Sequence, residues 1–384
     1  MTEYEISVLS PVHIGNGNEY GFMDFVASGE RISYINIDKV LDKLIIKGKN
    51  TSVLYEEIEH YGKNFKISMF LNKYEIDVNS VTNYYFQCKE SPSHIHEFIK
   101  NAFFIPLIPG SSIKGAIRTT LAWYLLKDKK NEIETIIKKK LEYINNIQDN
   151  KERKKQKKQL GNKLGGEIEN LIFYGNKNDA QFDLFKSMTV TDVSFESIDS
   201  LNIEKCKVLS TTKYSSLRPK HNIFLETLKI HEKSIKMEIS LNTYFLEKKY
   251  KELGFDKNKI NSIKEFPNAC NEFSKAIIEY ELSFFEQYNL PELTSFYKNL
   301  YNIIPDTNNE FLLQIGYGVG WLSTTLGLLL KNNEQLLMKL RKTFSMGRRK
   351  KYPHYLDEFP KTRRIIANKN LKYPMGWIKL RKIS

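Results

Sequence analysis

The stretch from Ile108 to Arg118, IPGSSIKGAIR, constrains the fold more tightly than any other segment of comparable length. Pro109 and Gly110 break the apolar run before them. Ser111 or Ser112 is placed to cap a helix reaching about Lys127, by accepting hydrogen bonds from its first free amides. Ile113, Ala116, Ile117, Leu121, Tyr124 and Leu125 then recur at the three-and-four spacing of a buried helical face. Lys114 and Arg118 sit four apart on a neighbouring face. Cations in the first turns oppose the partial positive charge of the unpaired amides, so the segment calls for an anion. A phosphate held by Gly110, the serines and both cations would answer it; the alternative is a solvated helix with two surface cations.

The charge balance agrees with a polyanionic partner. The formal net charge is +14 and the isoelectric point is near 9.3, which points to nucleic acid or an acidic membrane surface. The longest apolar runs, such as WLSTTLGLLL, fall far short of a bilayer span, so no membrane partner and a cytoplasmic location are expected. Cys88, Cys206 and Cys270 are widely spaced, and His94 and His96 have no second ligand pair near them in sequence. Neither a disulfide framework, a structural metal nor a cofactor is expected.

Along the chain, Tyr4 to Ser10 alternates as a strand, and Pro11 ends it before the loop PVHIGNGNEYG. FMDFVA and RISYINI flank the turn Ser28-Gly29-Glu30 as a hairpin, and Asp38 is placed to cap a helix through about Lys47. A hairpin after the early glycines excludes a dinucleotide-binding fingerprint, which needs a helix there. Thr51 to Lys100 reads as short helices with YYFQCK as a strand. From about 128 to 178 the composition turns to lysine, glutamate and asparagine around KERKKQKK, an insertion that is part helix and part mobile loop with a solvated surface. MTVTDVSF, KCKVLSTT, NIFLETL and SIKMEISL follow as strands of one sheet, then a helical region from about Lys257 to Glu286. The order of elements makes an α+β chain with two sheet-containing halves.

Near the C-terminus, IGYGVGW sets Gly316, Gly318 and Gly320 on alternate positions ahead of a helix carrying Leu322, Leu326, Leu329 and Leu330. Such a loop lets a backbone approach a ligand closely. It matches no nucleotide-hydrolase loop, and tight packing alone would also explain it. Arg348, Arg349, Lys361, Arg363 and Arg364 are interleaved with Tyr352, Tyr355 and Phe359, a mixture suited to phosphates and stacked bases of single-stranded nucleic acid. His13, in the first glycine loop, is the candidate general acid or base toward a ribose hydroxyl; a structural hydrogen-bonding role is the alternative.

IPGSSIKGAIRTTL, IGYGVGW, FPKTRR with PMGWIKL, and the opening SPVHIGNG together resemble the RAMP superfamily of CRISPR proteins, most nearly the family of fifth subunits of type III-A (Csm) effector complexes. The resemblance implies two ferredoxin-like (RRM-like) domains, residues 1–200 with the Lys-rich insertion and 201–384 with the glycine loop. It implies a non-catalytic subunit that binds the 3' portion of the CRISPR RNA, contacts a neighbouring backbone subunit and assists RNA maturation, with RNA-trimming host nucleases as further partners. RNA contact carries over to Gly110, Ser111, Ser112, Lys114, Arg118, Gly316, Gly318 and Gly320, and more weakly to the arginines near 348 and 363. A metal-independent CRISPR-repeat endoribonuclease of the same superfamily, using His13, and another RAMP backbone subunit are the competing expectations.

Overall fold

The computed structural model describes residues 2–177, 179–212, 216–230, 235–347, 358–367 and 370–383. In chain order, β1 (Thr2–Val8), the edge strand β2 (Gly15–Tyr20) and the hairpin β3 (Phe25–Ser28) and β4 (Arg31–Ile35) come first. Helices α1 (Ile37–Ile46), α2 (Ser52–Tyr61), α3 (Ile67–Lys73) and α4 (Val78–Val81) lead to β5 (Thr82–Gln87), β6 (Ile95–Phe98) and the short β7 (Leu107–Ile108). Next stand α5 (Gly110–Leu126), α6 (Lys130–Asn146) and α7 (Asn150–Phe173). Strands β8 (Met188–Val190), β9 (Val193–Ser194), β10 (Leu201–Thr211), β11 (Leu217–Leu228) and β12 (Ile235–Leu241) follow. The last third holds α8 (Lys257–Lys264), α9 (Phe266–Gln287), α10 (Pro291–Asn302), β13 (Glu310–Gln314), α11 (Trp321–Thr324), α12 (Gly327–Leu330) and α13 (Glu334–Phe344). Strands β14 (Thr362–Ala367), β15 (Leu371–Pro374) and β16 (Trp377–Lys382) close it.

Two large sheets organise the chain: β13-β16-β1-β12-β8 and β15-β14-β10-β11-β6-β2. The strands expected to form one sheet after Met188 are divided between them, β8 and β12 in the first, β10 and β11 in the second. Each sheet also mixes strands from both sides of residue 200, since β1 pairs with β16 and β2 pairs with β6 beside β11. A cut at 200 therefore separates no sheet from the other. The reason is alternation of buried side chains: Tyr4, Ile6 and Val8 point inward from β1, as Ile378 and Leu380 do from β16, and the antiparallel register Ile6 to Leu380 lays these faces together.

Helix α9 ties the sheets. Its first turns, through Phe266, Ala269 and Cys270, pack with Tyr4, Phe311 and the α5 residues Ile113, Ile117 and Leu121. Its later turns, through Ile277, Phe284 and Phe285, pack with Leu209 and Ile365 of the six-stranded sheet. The helical region expected from about Lys257 to Glu286 is present as two helices, divided because Pro267 has no amide hydrogen to donate and is accommodated only in a first turn. A small third sheet, β3-β4-β5, with α1 to α4, has its own cluster around Val40, Leu44, Phe70 and Leu71.

Three further local expectations are corrected. Helix α1 is capped by Asn36, whose side chain accepts from the Lys39 amide, and Asp38 lies inside its first turn. The early glycine loop is strand from Gly15. The Lys-rich insertion is an α6–α7 helical hairpin, with Lys151 to Lys158 within α7; Ile133, Ile137, Leu141 and Ile144 give α6 a buried stripe at helical spacing. Among the described residues, no helix is long and apolar enough to cross a membrane.

Candidate nucleic-acid interface

The four segments near the chain ends converge. Pro11 accepts a hydrogen bond from the Gly376 amide at 2.9 Å, Gly376 accepts one from Ile315 at 2.8 Å, and His13 accepts one from Tyr317 at 2.7 Å. SPVHIGNG, IGYGVGW and PMGWIKL are thus joined through backbone groups. Gly316 (φ +83°) brings its α-carbon so close that a side chain would place Cβ 2.3 Å from the His13 carbonyl. Gly318 (φ +90°) faces Met375 Sδ, 2.7 Å from where a Cβ would lie, whereas Gly320 (φ +92°) has open space around it. Gly316 and Gly318 serve close approach of two chain segments, and all three need the left-handed backbone that glycine adopts without strain.

Beside this junction lies a cavity of about 610 Å³, lined by the three glycines and by Tyr317, Lys220, Lys361 and Arg364. Neighbouring arginines on β14 have opposite fates because successive strand residues face opposite sides. Arg363 turns inward and is 8% exposed; its Nε donates to Glu281 at 2.6 Å and its Nη1 to the Pro360 carbonyl at 2.8 Å, with Phe284 stacked 4.0 Å away. That makes Arg363 part of the packing between β14 and α9, not a free ligand for phosphate. Arg364 lies over the Tyr317 ring at 4.7 Å, and its Nε has no hydrogen-bond partner among the described residues. A cation and a ring side by side at glycine-rich backbone can hold a phosphate and a base together. Lys220, on the exposed half of β11, was not singled out in sequence; Arg218 and Lys220 alternate on that strand and would have marked it. Arg348 and Arg349 lie outside the described residues.

The helix start at Gly110 resolves its charge conflict internally. The helix begins at Gly110 itself after Pro109, with no side-chain cap, so neither Ser111 nor Ser112 is the N-cap. Asp192 accepts from the Gly110 amide at 2.7 Å, and a Cβ at Gly110 would lie 2.2 Å from the Val190 carbonyl. Lys114 donates to the Met188 carbonyl at 2.7 Å, and burial pushes its amine below the usual lysine range. Arg118 binds Asp183 at 2.9 Å and Glu169 at 3.1 Å, with Phe173 under its guanidinium at 4.2 Å. The anion anticipated there is the protein's own set of carboxylates, and none of Gly110, Ser111, Ser112, Lys114 and Arg118 lines the cavity.

His13 is buried, 3% exposed, with Nδ1 2.7 Å from the Glu226 carbonyl. Burial lowers its pKa to about 4, helped by the charges of His96 and Lys100, against the pull of that carbonyl. Enclosed and neutral, it has the surroundings of a structural residue. Beneath it, Glu226 and Lys100, 0% and 2% exposed at their side chains, form an ion pair at 2.5 Å. Glu226 also accepts from the Phe98 amide at 2.8 Å, and Tyr20 donates to Glu97 at 2.6 Å nearby.

The sequence model of the RAMP superfamily matches residues 5–323. A CRISPR system Cms protein Csm5 of Methanocaldococcus jannaschii is 26% identical over 407 residues, 98% of this chain and 88% of that protein. A protein of the same name from Streptococcus thermophilus is 29% identical over 126 residues, 29% of this chain and 35% of that protein. Among solved structures, a chain of a Csm-crRNA-target RNA ternary complex from a type III-A CRISPR-Cas system superposes with a TM-score of 0.73 at 25% identity, covering 99% of this chain and 100% of that one. T. onnurineus Csm5, at 22% identity, shares the fold with a TM-score of 0.64 over 97% of this chain and 99% of its own. The resemblance carried by the end segments thus extends over the whole chain, and the protein belongs to the RAMP superfamily.

Proposed function

We propose that this chain is an RNA-binding subunit of a type III-A CRISPR effector complex. It caps the backbone filament at the 3' end of the CRISPR RNA, next to a backbone subunit, and limits how far trimming nucleases shorten that RNA. The observation that carries this reading is the convergence of IGYGVGW with Arg364, Tyr317, Lys361 and Lys220 on one cavity. Cations, a ring and glycine backbone recognise phosphates and stacked bases of any sequence, as a subunit holding diverse guides requires. The likeness along nearly the whole chain to a protein named Csm5 and to a chain of a Csm-crRNA-target RNA complex supports the same assignment. In this reading the two large sheets are the two ferredoxin-like units, interleaved in sequence, and the subunit is not itself a nuclease.

Complexes assembled with the wild-type chain, without it, and with an Arg364→Ala/Lys220→Ala variant test the role. The RNA recovered with the wild-type chain should end at a defined 3' position, and the other two should give altered or scattered 3' ends. Identical RNA lengths in all three would refute the capping role. A His13→Gln chain should give the wild-type length, and loss of site-specific cleavage in that variant would favour the endoribonuclease instead.

A further inference from the structure

The cavity beside the glycine loop does not stand alone. Trp321, Thr324 and Met346 line it and also line a second cavity of about 770 Å³ between α12, α13 and the hairpin helix α7. Lys154 and Lys157 line that second cavity and a third of about 490 Å³, which they share with Arg153, Lys339 and Lys342. Shared lining residues set the three end to end, as a groove running from Arg364 to the far end of the hairpin and narrowed at Trp321 and at Lys154 and Lys157.

The distal part is an open, one-signed surface: Arg153, Lys154, Lys339 and Lys342 are exposed and Lys157 is half-buried. Asn150, Arg153, Lys154, Lys157 and Gly161 fall at three-and-four spacing on α7, on the side toward α13. Opposite them, Lys339 and Lys342 stand three apart on α13. No carboxylate lines this third cavity, and among the described residues none of Lys154, Lys157, Lys339 and Lys342 forms an ion pair. Of the hairpin cations outside the groove, Lys140 pairs with Glu167 and Lys155 with Glu152, while Lys139, Lys151 and Lys163 stand apart from one another on the surface without an ion pair among the described residues. What sets the groove apart is that Lys154, Lys157, Lys339 and Lys342 line one cavity with no carboxylate between them, a concentration of positive charge that suits an anion along the groove. At Gly165 a Cβ would touch nothing within 4 Å, so glycine there costs helix stability with no packing contact demanding it and leaves the middle of the groove open.

We propose that this groove carries the backbone of single-stranded RNA, extending the path from the Arg364 and Tyr317 cavity past Trp321 to the Lys154, Lys157, Lys339 and Lys342 end. The Lys-rich hairpin is then an RNA arm and not a solvated insertion. The inference rests on the RNA-binding reading of the glycine-loop cavity. It adds to that reading a second, sequence-tolerant stretch of contact and fixes the direction in which the RNA leaves the cavity.

The test uses the full chain and two oligouridylates, a short one able to fill only the glycine-loop cavity and a long one able to span the groove. Two groove variants are compared: Lys154→Glu/Lys157→Glu/Lys339→Glu/Lys342→Glu, and the milder set with Gln at the same positions. Thermal melting establishes that each is folded, and the Gln set serves if charge reversal impairs folding. Both should bind the short RNA like wild type and the long RNA at least about tenfold more weakly. For the Gln set, the slope of log affinity against log salt on the long RNA should be shallower by about 3, from about 0.7 for each of the four phosphates that the lysines no longer neutralise. Unchanged long-RNA affinity and slope would overturn the proposal. Unchanged RNA binding with failure to enter the assembled complex would overturn it too, in favour of an acidic protein surface in the groove. An Arg364→Ala variant with unaltered short-RNA binding counts against the cavity reading, while the long-RNA comparison still reports on the groove.

Discussion

Replacing Lys100 by Met should lower stability strongly at neutral pH and only slightly in mild acid. Lys100 Nζ lies 2.5 Å from Glu226 Oε2, and both side chains are buried. At an effective dielectric of about 20, unit charges that close attract by about 7 kcal/mol, set against several kcal/mol of lost hydration for each ion. Met fills the lysine stem's volume and removes the ammonium, with its weaker contacts to the Phe98 carbonyl at 3.1 Å and Glu97 at 3.4 Å, leaving Glu226 with the Phe98 amide at 2.8 Å. Burial already pushes the Glu226 carboxyl above its reference value of 4.5 while Lys100 pulls it down, so without Lys100 it rises further. Protonation then caps the penalty. At pH 7, taking up a proton against a reference of 4.5 costs at most about 3.4 kcal/mol, and at pH 5 about 0.7 kcal/mol. The sign follows from proton uptake. In the variant the folded state binds the proton more tightly than the unfolded chain, so stability is complete below about 4.5 and falls as pH rises. Urea unfolding of the full chain should therefore show a cost of about 3 kcal/mol at pH 7, shrinking below about 1 kcal/mol at pH 5. Lys100→Met/Glu226→Gln, with neither charge, should lose less at pH 7 and show no such pH dependence. An equal cost at both pH values, or a double variant as unstable as Lys100→Met at pH 7, would refute the buried-pair argument.

Adjacent arginines should behave oppositely. Arg363→Ala strands Glu281 in the interior and should cost about 3 kcal/mol in unfolding experiments, whereas Arg364→Ala should melt like wild type but bind single-stranded RNA more weakly with a shallower salt slope. Gly320→Ala meets no neighbour and should lose roughly 1–2 kcal/mol from its left-handed backbone alone, while Gly316→Ala also drives Cβ into the His13 carbonyl and should cost clearly more in the same assay. Because burial lowers the His13 pKa from 6.5 to about 4, the unfolded chain binds the extra proton first as pH falls. Stability present above 6.5 should therefore be lost progressively toward pH 4, by about 3 kcal/mol, and unfolding titrations of His13→Gln should lack that loss.

What the sequence discloses is what neighbours in sequence decide. Pro109-Gly110 and the spacing from Ile113 onward place α5 correctly, since caps and periodicity act within a few residues. The partners of its cations are hidden for the opposite reason. Asp192 is 82 residues from Gly110, and Glu169 and Asp183 are 51 and 65 residues from Arg118, so no local pattern announces them. The hairpin is half legible: its lysines look like a solvated loop, yet Ile133, Ile137, Leu141 and Ile144 already repeat at helical spacing. The glycine loop and the Arg364 end are visible as separate motifs. Their meeting depends on β1 pairing with β16 and β12 across the halves of the chain, a topology that alternation within each strand does not specify.

That crossing also gives the interior a direct mechanical hold on the candidate interface. Glu226 is held by Lys100 through its side chain and faces His13 Nδ1 with its carbonyl; the His13 carbonyl accepts the Tyr317 amide, and the Tyr317 ring lies against Arg364. The hydrogen-bonded link from His13 to Tyr317 runs through backbone, and the imidazole adds an edge-on contact with the Tyr317 ring at 5.7 Å, so the close approach at Gly316 places the ring and the imidazole only trims it. Gly316→Ala should therefore reduce affinity for single-stranded RNA by about tenfold or more in folded protein, since Tyr317 and Arg364 lose their register together. His13→Gln, which leaves the carbonyl in place, should change that affinity by less than about threefold, roughly 0.7 kcal/mol. A His13→Gln variant that binds as poorly as Gly316→Ala would refute this, because it would mean that the imidazole, through its edge-on contact with Tyr317 or through the ligand itself, fixes the interface.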